Sequence, residues 1–345
     1  MKKRVIFSVT VVIVLLALSL MAACAPSAPP PASTPTPAPA PKPAELIKFK
    51  AVQFLQIGNS GATPFKQWID KVNELAKGQL QIDVMGGPEA IAQSEQAEAV
   101  RTGAIDVNLN NYANFRSSVP LTGFIQMARA DQKDQLPGTP WNDFVVENFD
   151  KAGIRFVFEG AYDVPFYLYS VKPVNNPTEL KGLRIRSTAA YPFLKDLGTV
   201  PVTLEHDDIY VAVERNLIDG MAGKNTSIVE QNLWEVMKNV IGPPFWGKTN
   251  LAVTINGNSW KKLSKPVQDI LLNTVVQLHP LKVKENQAYL DSDWAKMKEK
   301  GMKYIQWSEA DSKWFLDTID GVMFKRAETA VTPEILAKFK KLGGF

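Results

Sequence analysis

The reactive side chains of this 345-residue chain are few: two histidines, His206 and His279, and one cysteine, Cys24. That set excludes the usual zinc and iron–sulfur ligand combinations and any disulfide within the chain. A Ser/His/Asp triad would have to rest on His206, because His279 precedes Pro280 inside a stretch of helical spacing. No Gly-x-Ser-x-Gly elbow and no His-Glu-x-x-His occurs. Gly242 to Thr249 does fit the spacing of a phosphate-binding loop. Pro243 and Pro244, however, remove N–H donors that a phosphate cradle needs, and Leu251 to Ile255 reads as a strand where a helix is required. A carboxylate pair of the glycosidase kind stays open, since such a pair is spatial. Otherwise no enzyme is expected, and no cofactor or metal.

Binding chemistry is better represented. Arg186 ends a strand-like segment, Leu183 to Arg186. Its planar fork can hold a carboxylate with two parallel hydrogen bonds, which lysine cannot imitate. One such charged hydrogen bond contributes about 1.5 to 3 kcal/mol, whereas micromolar binding needs about 8 kcal/mol. Arg186 can therefore set ligand class and orientation while enclosure supplies the rest. Loops at the carboxyl ends of strands in open α/β sheets are where ligands bind. Asn59 and Ser60 follow a first strand, and Asn110, Asn111 and Tyr112 follow the strand after Asp106. Phe245 and Trp246 could wall a cleft or pack a hinge, with Lys248 and Asn250 just beyond.

The elements that position these residues follow an α/β rhythm. Ile47 to Leu55 reads as a strand, and Thr63-Pro64 as an N-cap and N1 pair. Phe65, Trp68, Ile69, Val72, Leu75 and Ala76 keep helical spacing, and Leu80, Ile82 and Val84 alternate as a second strand. Residues 99–107 and 212–220 form a weak repeat in which a helix ends at Gly103 or Asn216, the two residue types that best tolerate the left-handed conformation. A short helix is expected from Pro192 to Leu197, a strand from Val200 to Leu204, and a helix from Asp207 to Arg215. Val267, Ile270, Leu271, Val275 and Leu278 keep helical spacing within Ser264 to Gly301, with Pro280 as a point of kinking.

Charge argues against nucleic acid. The formal +4 includes Lys2, Lys3 and Arg4 of an N-terminal segment whose apolar run extends from Val5 to Ala23. Without those three of the 39 basic residues, 36 remain against 35 acidic ones. No Lys/Arg-rich block of a nucleic-acid binder follows. Leu20-Met21-Ala22-Ala23-Cys24 resembles the lipobox of bacterial lipoproteins, which implies cleavage after residue 23 and a lipid on Cys24. Nine of the 24 prolines fall between Pro26 and Pro43. That stretch has no apolar periodicity and reads as an extended tether.

Gly103-Ala104-Ile105-Asp106, Leu180-Lys181-Gly182-Leu183-Arg184-Ile185-Arg186 and Ile209-Tyr210-Val211-Ala212 before Ile218-Asp219-Gly220 together resemble the substrate-binding proteins of tripartite ATP-independent periplasmic (TRAP) transporters. The resemblance covers most of residues 46 to 320. It implies two α/β lobes of the periplasmic-binding-protein kind, joined by crossing strands, closing over a ligand, with a long helix behind both. Lobe I is expected at 45–160 with 247–285, and lobe II at 161–246 with 286–345. The partners implied are a small-molecule carboxylate and the membrane permease, at a periplasmic or cell-surface location.

Carried over residue by residue, Arg186 stands where the family clamps the ligand carboxylate. A second arginine of the sialic-acid-binding members falls on Phe166, and an asparagine that often follows Asp-Gly falls on Gly223, with Lys224 and Asn225 adjacent. His206 stands where an apolar or aromatic residue often covers the ligand. It could stack on a ring, donate to a carboxylate, or simply start a solvated helix beside Asp207 and Asp208. With Phe166, Tyr167 and Tyr162 in that region, the ligand expected is a less polar monocarboxylate, with aliphatic, keto and aromatic acids all open, although alternation should turn half of these rings into the core. A binding protein serving an ABC importer or a sensor is the rival reading of the same fold, and an exported hydrolase a weaker one.

Overall fold

A computed structural model of the protein describes residues 45–188, 190–247 and 251–345. Cys24, the proline-rich stretch, Lys248 and Asn250 lie outside the described residues. In sequence order the strands are β1 (Ile47–Gln53), β2 (Leu80–Gly86), β3 (Val107–Asn111), β4 (Ile154–Glu159), β5 (Phe166–Ser170), β6 (Arg184–Ser187), β7 (Val200–Thr203), β8 (Gly220–Lys224), β9 (Asn239–Trp246), β10 (Leu251–Asn256) and β11 (Lys303–Gln306). They form two mixed sheets, ordered β2-β1-β3-β10-β4 and β11-β9-β5-β8-β6-β7. In the first, β1 runs parallel to β2 and β3, and β10 is antiparallel to both β3 and β4. In the second, β6 runs parallel to β7 and β8, while β5 is antiparallel to β8 and β9.

The first helix, Thr63–Leu75, buries Phe65, Trp68, Ile69 and Val72 against the first sheet, as its apolar spacing requires. Its start differs from the expected cap. Asn59 caps a short 3₁₀ turn, Ser60–Ala62, and the helix follows directly with Thr63 as its first residue. The Thr63 hydroxyl turns back to donate to the Ser60 carbonyl at 2.7 Å. Helix stops occur where the αL-tolerant residues stand: Gly103 at φ 85° after Gln96–Thr102, and Asn216 at φ 54° after Ile209–Glu214. The expected helix at Pro192 is a single 3₁₀ turn, Pro192–Lys195.

The helix Lys265–Glu299 runs 35 residues, through Pro280, about 52 Å at 1.5 Å per residue. Its first half places Val267, Leu271 and Val275 in the core of the first sheet, where the Trp68 indole donates to the Leu271 carbonyl at 3.0 Å. Its second half places Met297 in a core with Tyr167 and Tyr169 of β5, and Trp294 packs edge-on to Tyr167 at 5.6 Å. The helix Glu309–Ala330 then buries Phe315 and Ile319 with Phe193 and Trp246. The last helix, Pro333–Gly343, returns to helix Pro140–Asp150 through Phe339 against Trp141 (5.8 Å) and Lys338 to Glu147 (3.0 Å). Among the described residues no helix is long and apolar enough to cross a membrane.

Candidate functional site

Topology brings most of the nominated residues to one end of the six-stranded sheet. β6 and β8 are parallel, so Arg186 and Lys224 both approach their carboxyl ends, and Asn225 follows Lys224. His206 lies three residues past the end of β7. Because β5 is antiparallel to its neighbours, its first residue, Phe166, stands opposite Lys224 on one side and Trp246 on the other. β4 and β5 are separated by only six residues and β9 and β10 by four. That end of the second sheet is therefore held close to the carboxyl ends of β3 and β4 in the first, since six extended residues span at most about 20 Å.

Two sequence motifs fix this arrangement. The Arg184 side chain grips Asp219 through Nε (2.9 Å) and Nη2 (2.8 Å), and the Asp219 carboxylate also accepts the Arg184 backbone N–H at 2.9 Å. The Leu-Arg-Ile-Arg strand is thereby pinned in register to the Ile-Asp-Gly turn. Gly220 completes the joint: a Cβ there would lie 2.1 Å from the Tyr169 carbonyl oxygen.

Arg186, one strand position inward from Ser187, is 7% exposed. Its Nε donates to the Leu204 carbonyl at 3.1 Å. Among the described residues that is its one hydrogen bond, and no carboxylate lies within 4.0 Å. Burial lowers the guanidinium's proton affinity, with Tyr191 and Glu205 opposing. Burial, then Arg186 and Lys224, hold the His206 imidazole down at about 4, so it is neutral at pH 7. Lys224 is lowered too, by burial, against Glu230 and Asp293. Two cations thus act electrostatically on one neutral imidazole near the carboxyl ends of β6 and β8. Asn225 is fully buried with neither amide atom hydrogen-bonded among the described residues, and the Thr226 hydroxyl is likewise unpaired.

Phe166 joins an aromatic wall with Tyr191 (6.4 Å), Phe245 (6.0 Å) and Trp246 (5.8 Å). Arg186 acts electrostatically on Tyr191, so the guanidinium and the wall are neighbours. Tyr167 points to the opposite face, toward Trp294, as alternation demands. Tyr162 lies in the crossing segment and donates to Glu285 at 2.8 Å.

The first-sheet nominees are occupied differently. Asn59 and Asn111 each direct Oδ1 at a backbone N–H two residues on, capping short 3₁₀ turns at 2.8 and 2.9 Å. Tyr112 is fully buried among Phe149 and Phe156, and its hydroxyl donates to Glu159 at 2.7 Å. Its place is the hydrophobic core.

The long helix supplies residues that the sequence reading passed over. Glu285, Tyr289 and Asp293 recur every four positions and so share one face. Tyr289 lies near enough to Ser60 to feel its hydroxyl and stacks obliquely on Tyr162 at 5.2 Å. Asp293, buried beside Glu230, is pushed up to about 6, with Lys224 opposing. The four-residue repeat is visible in the sequence, but a polar stripe on a helix reads as a solvated face.

Residues 58–329 match the family described as bacterial extracellular solute-binding protein, family 7. The sequence is 24% identical over 271 residues to a 2,3-diketo-L-gulonate-binding periplasmic protein of Escherichia coli, covering 74% of this protein and 79% of that one. It is 20% identical over 250 residues to a sialic acid-binding periplasmic protein of Vibrio cholerae, covering 68% and 76%. It also matches an uncharacterized protein of Sinorhizobium fredii at 24% over 191 residues, which is 53% of this protein but only 35% of that relative. Among solved structures, a TRAP periplasmic solute-binding protein from Ochrobactrum anthropi, with a C-terminus bound in its ligand-binding pocket, superposes with a TM-score of 0.74 at 18% identity, covering 87% of this protein and 97% of that one. With its two sheets, its paired motifs and more than half its length inside the match, the chain belongs to bacterial extracellular solute-binding protein family 7.

Proposed function

We propose that this TRAP-type solute receptor captures a small organic acid at the facing ends of its two sheets, with Arg186 as the carboxylate clamp, and delivers it to a TRAP membrane permease. One observation carries the reading: Arg186 is a buried guanidinium whose terminal nitrogens have no protein partner among the described residues. A buried charge is tolerated when paired, and a ligand carboxylate is the pair its geometry accepts. The bound partners named for the relatives, a diketogulonate, a sialic acid and a polypeptide's carboxyl terminus, all present a carboxylate. The aromatic wall of Phe166, Tyr191 and Trp246 favours an acid with an apolar or aromatic body, and neutral His206 and Asn225 offer hydrogen bonds to its polar edge. The site is read as one of capture without turnover. Its lobes are taken as 45–160 with 247–285 and 161–246 with 286–345, and ligand touching both biases the closed arrangement. Lipidation at Cys24 would hold the receptor at a membrane surface on its proline-rich tether.

The test is a thermal-shift panel of aliphatic, keto and aromatic acids, amino acids and neutral sugars on the purified protein. Stabilisation by an acid, lost in Arg186→Ala, is expected. Stabilisation by neutral sugars but by no acid would sink the carboxylate reading.

A further inference from the structure

A cavity of about 400 Å³ lies where the backbone crosses between the sheets, bounded by residues 127–131, Asp163, the end of β9 and the helix Glu309–Ala330. That volume lies in the range of small-molecule sites. Three polar side chains of its lining are almost wholly buried: Gln135 and Asp163 at 6% exposure and Trp246 at 4%. Among the described residues, Gln135 Nε2, both carboxylate oxygens of Asp163 and the indole Nε1 of Trp246 have no hydrogen-bond partner. Buried polar groups are nearly always paired. Three unpaired ones lining the same cavity, two donors and one carboxylate, point to a polar guest.

The sign of that guest follows from the charges around it. Arg129, the cation of the lining, is ion-paired with Asp320. Asp131 at the exposed rim pairs with Lys133 at 3.7 Å. Lys282 of the long helix is ion-paired with Asp163 at 4.0 Å, too far to hydrogen-bond, and gives its hydrogen bond to the Glu159 carbonyl at 3.0 Å. What is left is a carboxylate with a cation at 4.0 Å but no hydrogen-bond donor, lining the same cavity as an indole N–H without an acceptor and apolar residues that include Leu316.

We propose that this crossing cavity is a second ligand site, one that takes a small primary ammonium compound carrying a nearby hydroxyl or carbonyl oxygen, the ammonium donating to Asp163 and the oxygen accepting from Trp246. The site does not depend on the carboxylate reading of the cleft. A guest here ties Asp163 of one crossing segment to Trp246 at the start of the other. The Trp246 ring in turn meets Phe166 edge-on at 5.8 Å. Occupancy of the cavity therefore biases the arrangement around the cleft, and the two ligands influence each other's affinity reciprocally.

The experiment titrates ethanolamine into the isotopically labelled protein and follows the Trp246 indole N–H resonance, assigned by its loss in Trp246→Phe. A saturable shift is expected with ethanolamine and none with tetramethylammonium, which has no N–H to donate. Asp163→Asn should weaken the titration tenfold or more. Leu316→Trp, which fills the cavity without altering a polar group, should abolish it, and Arg186→Ala should leave it intact while acid binding is lost. A Trp246 resonance that does not move with ethanolamine, or moves equally with tetramethylammonium, overturns the proposal, and the wild-type titration decides this even if a variant fails to fold. An unchanged titration in a folded Leu316→Trp overturns it as well. Failure of every acid to bind would count against the function proposed for the cleft and leave this site standing.

Discussion

Tyr162 donates its hydroxyl to the Glu285 carboxylate at 2.8 Å, and the same carboxylate accepts from Gln67 at 3.0 and 3.2 Å. A crossing segment, the long helix and the helix Thr63–Leu75 thus meet on one side chain. Removing it strands a buried tyrosine hydroxyl. Glu285→Ala should lower stability by about 1 to 3 kcal/mol in urea denaturation, and Glu285→Gln by less, because its amide oxygen still accepts. Equal stability of all three proteins would show that the junction holds nothing together.

Arg186 should be a liability to the empty protein. Desolvating a charge without a partner costs stability, and replacing it by an apolar side chain of similar length relieves that cost. Arg186→Met is expected to raise the unliganded Tm, or leave it unchanged, while weakening acid binding at least about tenfold, the equivalent of a charged hydrogen bond. Calorimetric titration beside a melting curve reads both. A variant that melts well below wild type would show that the guanidinium is a structural partner.

Two groups, one buried and one half-buried, pull stability in opposite directions with pH. His206 falls from an ordinary 6.5 to about 4 in the folded protein, so the unfolded chain binds more protons between those values and His206 favours folding increasingly as pH rises to 6.5. Asp293 rises from 3.8 to about 6, so its contribution is complete below 3.8 and is lost as pH climbs through 6. Each shift corresponds to about 3 kcal/mol at most across its window, and to less where solvent screens these partly buried groups. In the wild type they largely cancel between pH 4 and 6. His206→Asn should expose a stability that falls with pH in that window, and Asp293→Asn one that rises. Denaturation midpoints from pH 4 to 7 that keep the same slope in all three proteins would refute the assignment.

At Gly220 the constraint is steric. Its Cβ position is filled by the Tyr169 carbonyl, and Ile185 Cδ1 lies 3.1 Å away. Gly220→Ala must push β8 off β5 or β6 and should cost about 1 to 3 kcal/mol, in the manner of core overpacking. Since β6 carries Arg186, acid affinity should fall together with stability. Gly247→Ala, where a Cβ meets nothing within 4 Å, is the matched control.

For Cys24, the expectation is chemical. Cells fed a radiolabelled fatty acid should label the wild-type protein and not Cys24→Ser, and the serine variant should leave the membrane fraction. Equal labelling of both, or a wild type that is never membrane-bound, would remove the lipid anchor from the functional picture.

The sequence disclosed the elements whose signals are local. Gly103 and Asn216 stop helices because few other residues tolerate a positive φ, and alternation in β5 correctly divides Phe166 from Tyr167. The Thr63 cap was misplaced because Asn59 is an equally good cap four residues earlier, and the short turn between them left no periodic trace. Nothing in the order of residues tells that Tyr112 turns inward to Glu159, 47 positions away. The Glu285, Tyr289 and Asp293 stripe was overlooked for the converse reason: its partners, Ser60, Tyr162, Lys224 and Glu230, come from four separate stretches. Pairings over such separations are fixed by tertiary packing alone.

The backbone passes between the two sheets by residues 160–165, again between β9 and β10, along the helix Lys265–Glu299, and back through Glu309–Ala330 to the contact of Phe339 with Trp141. Neither sheet corresponds to an unbroken stretch of gene. Recombination at a single point cannot exchange one half of this receptor for that of a relative, and no truncation yields a lone half with its core intact. New ligand preferences in such an architecture have to arise by substitutions within the shared cleft, one side chain at a time.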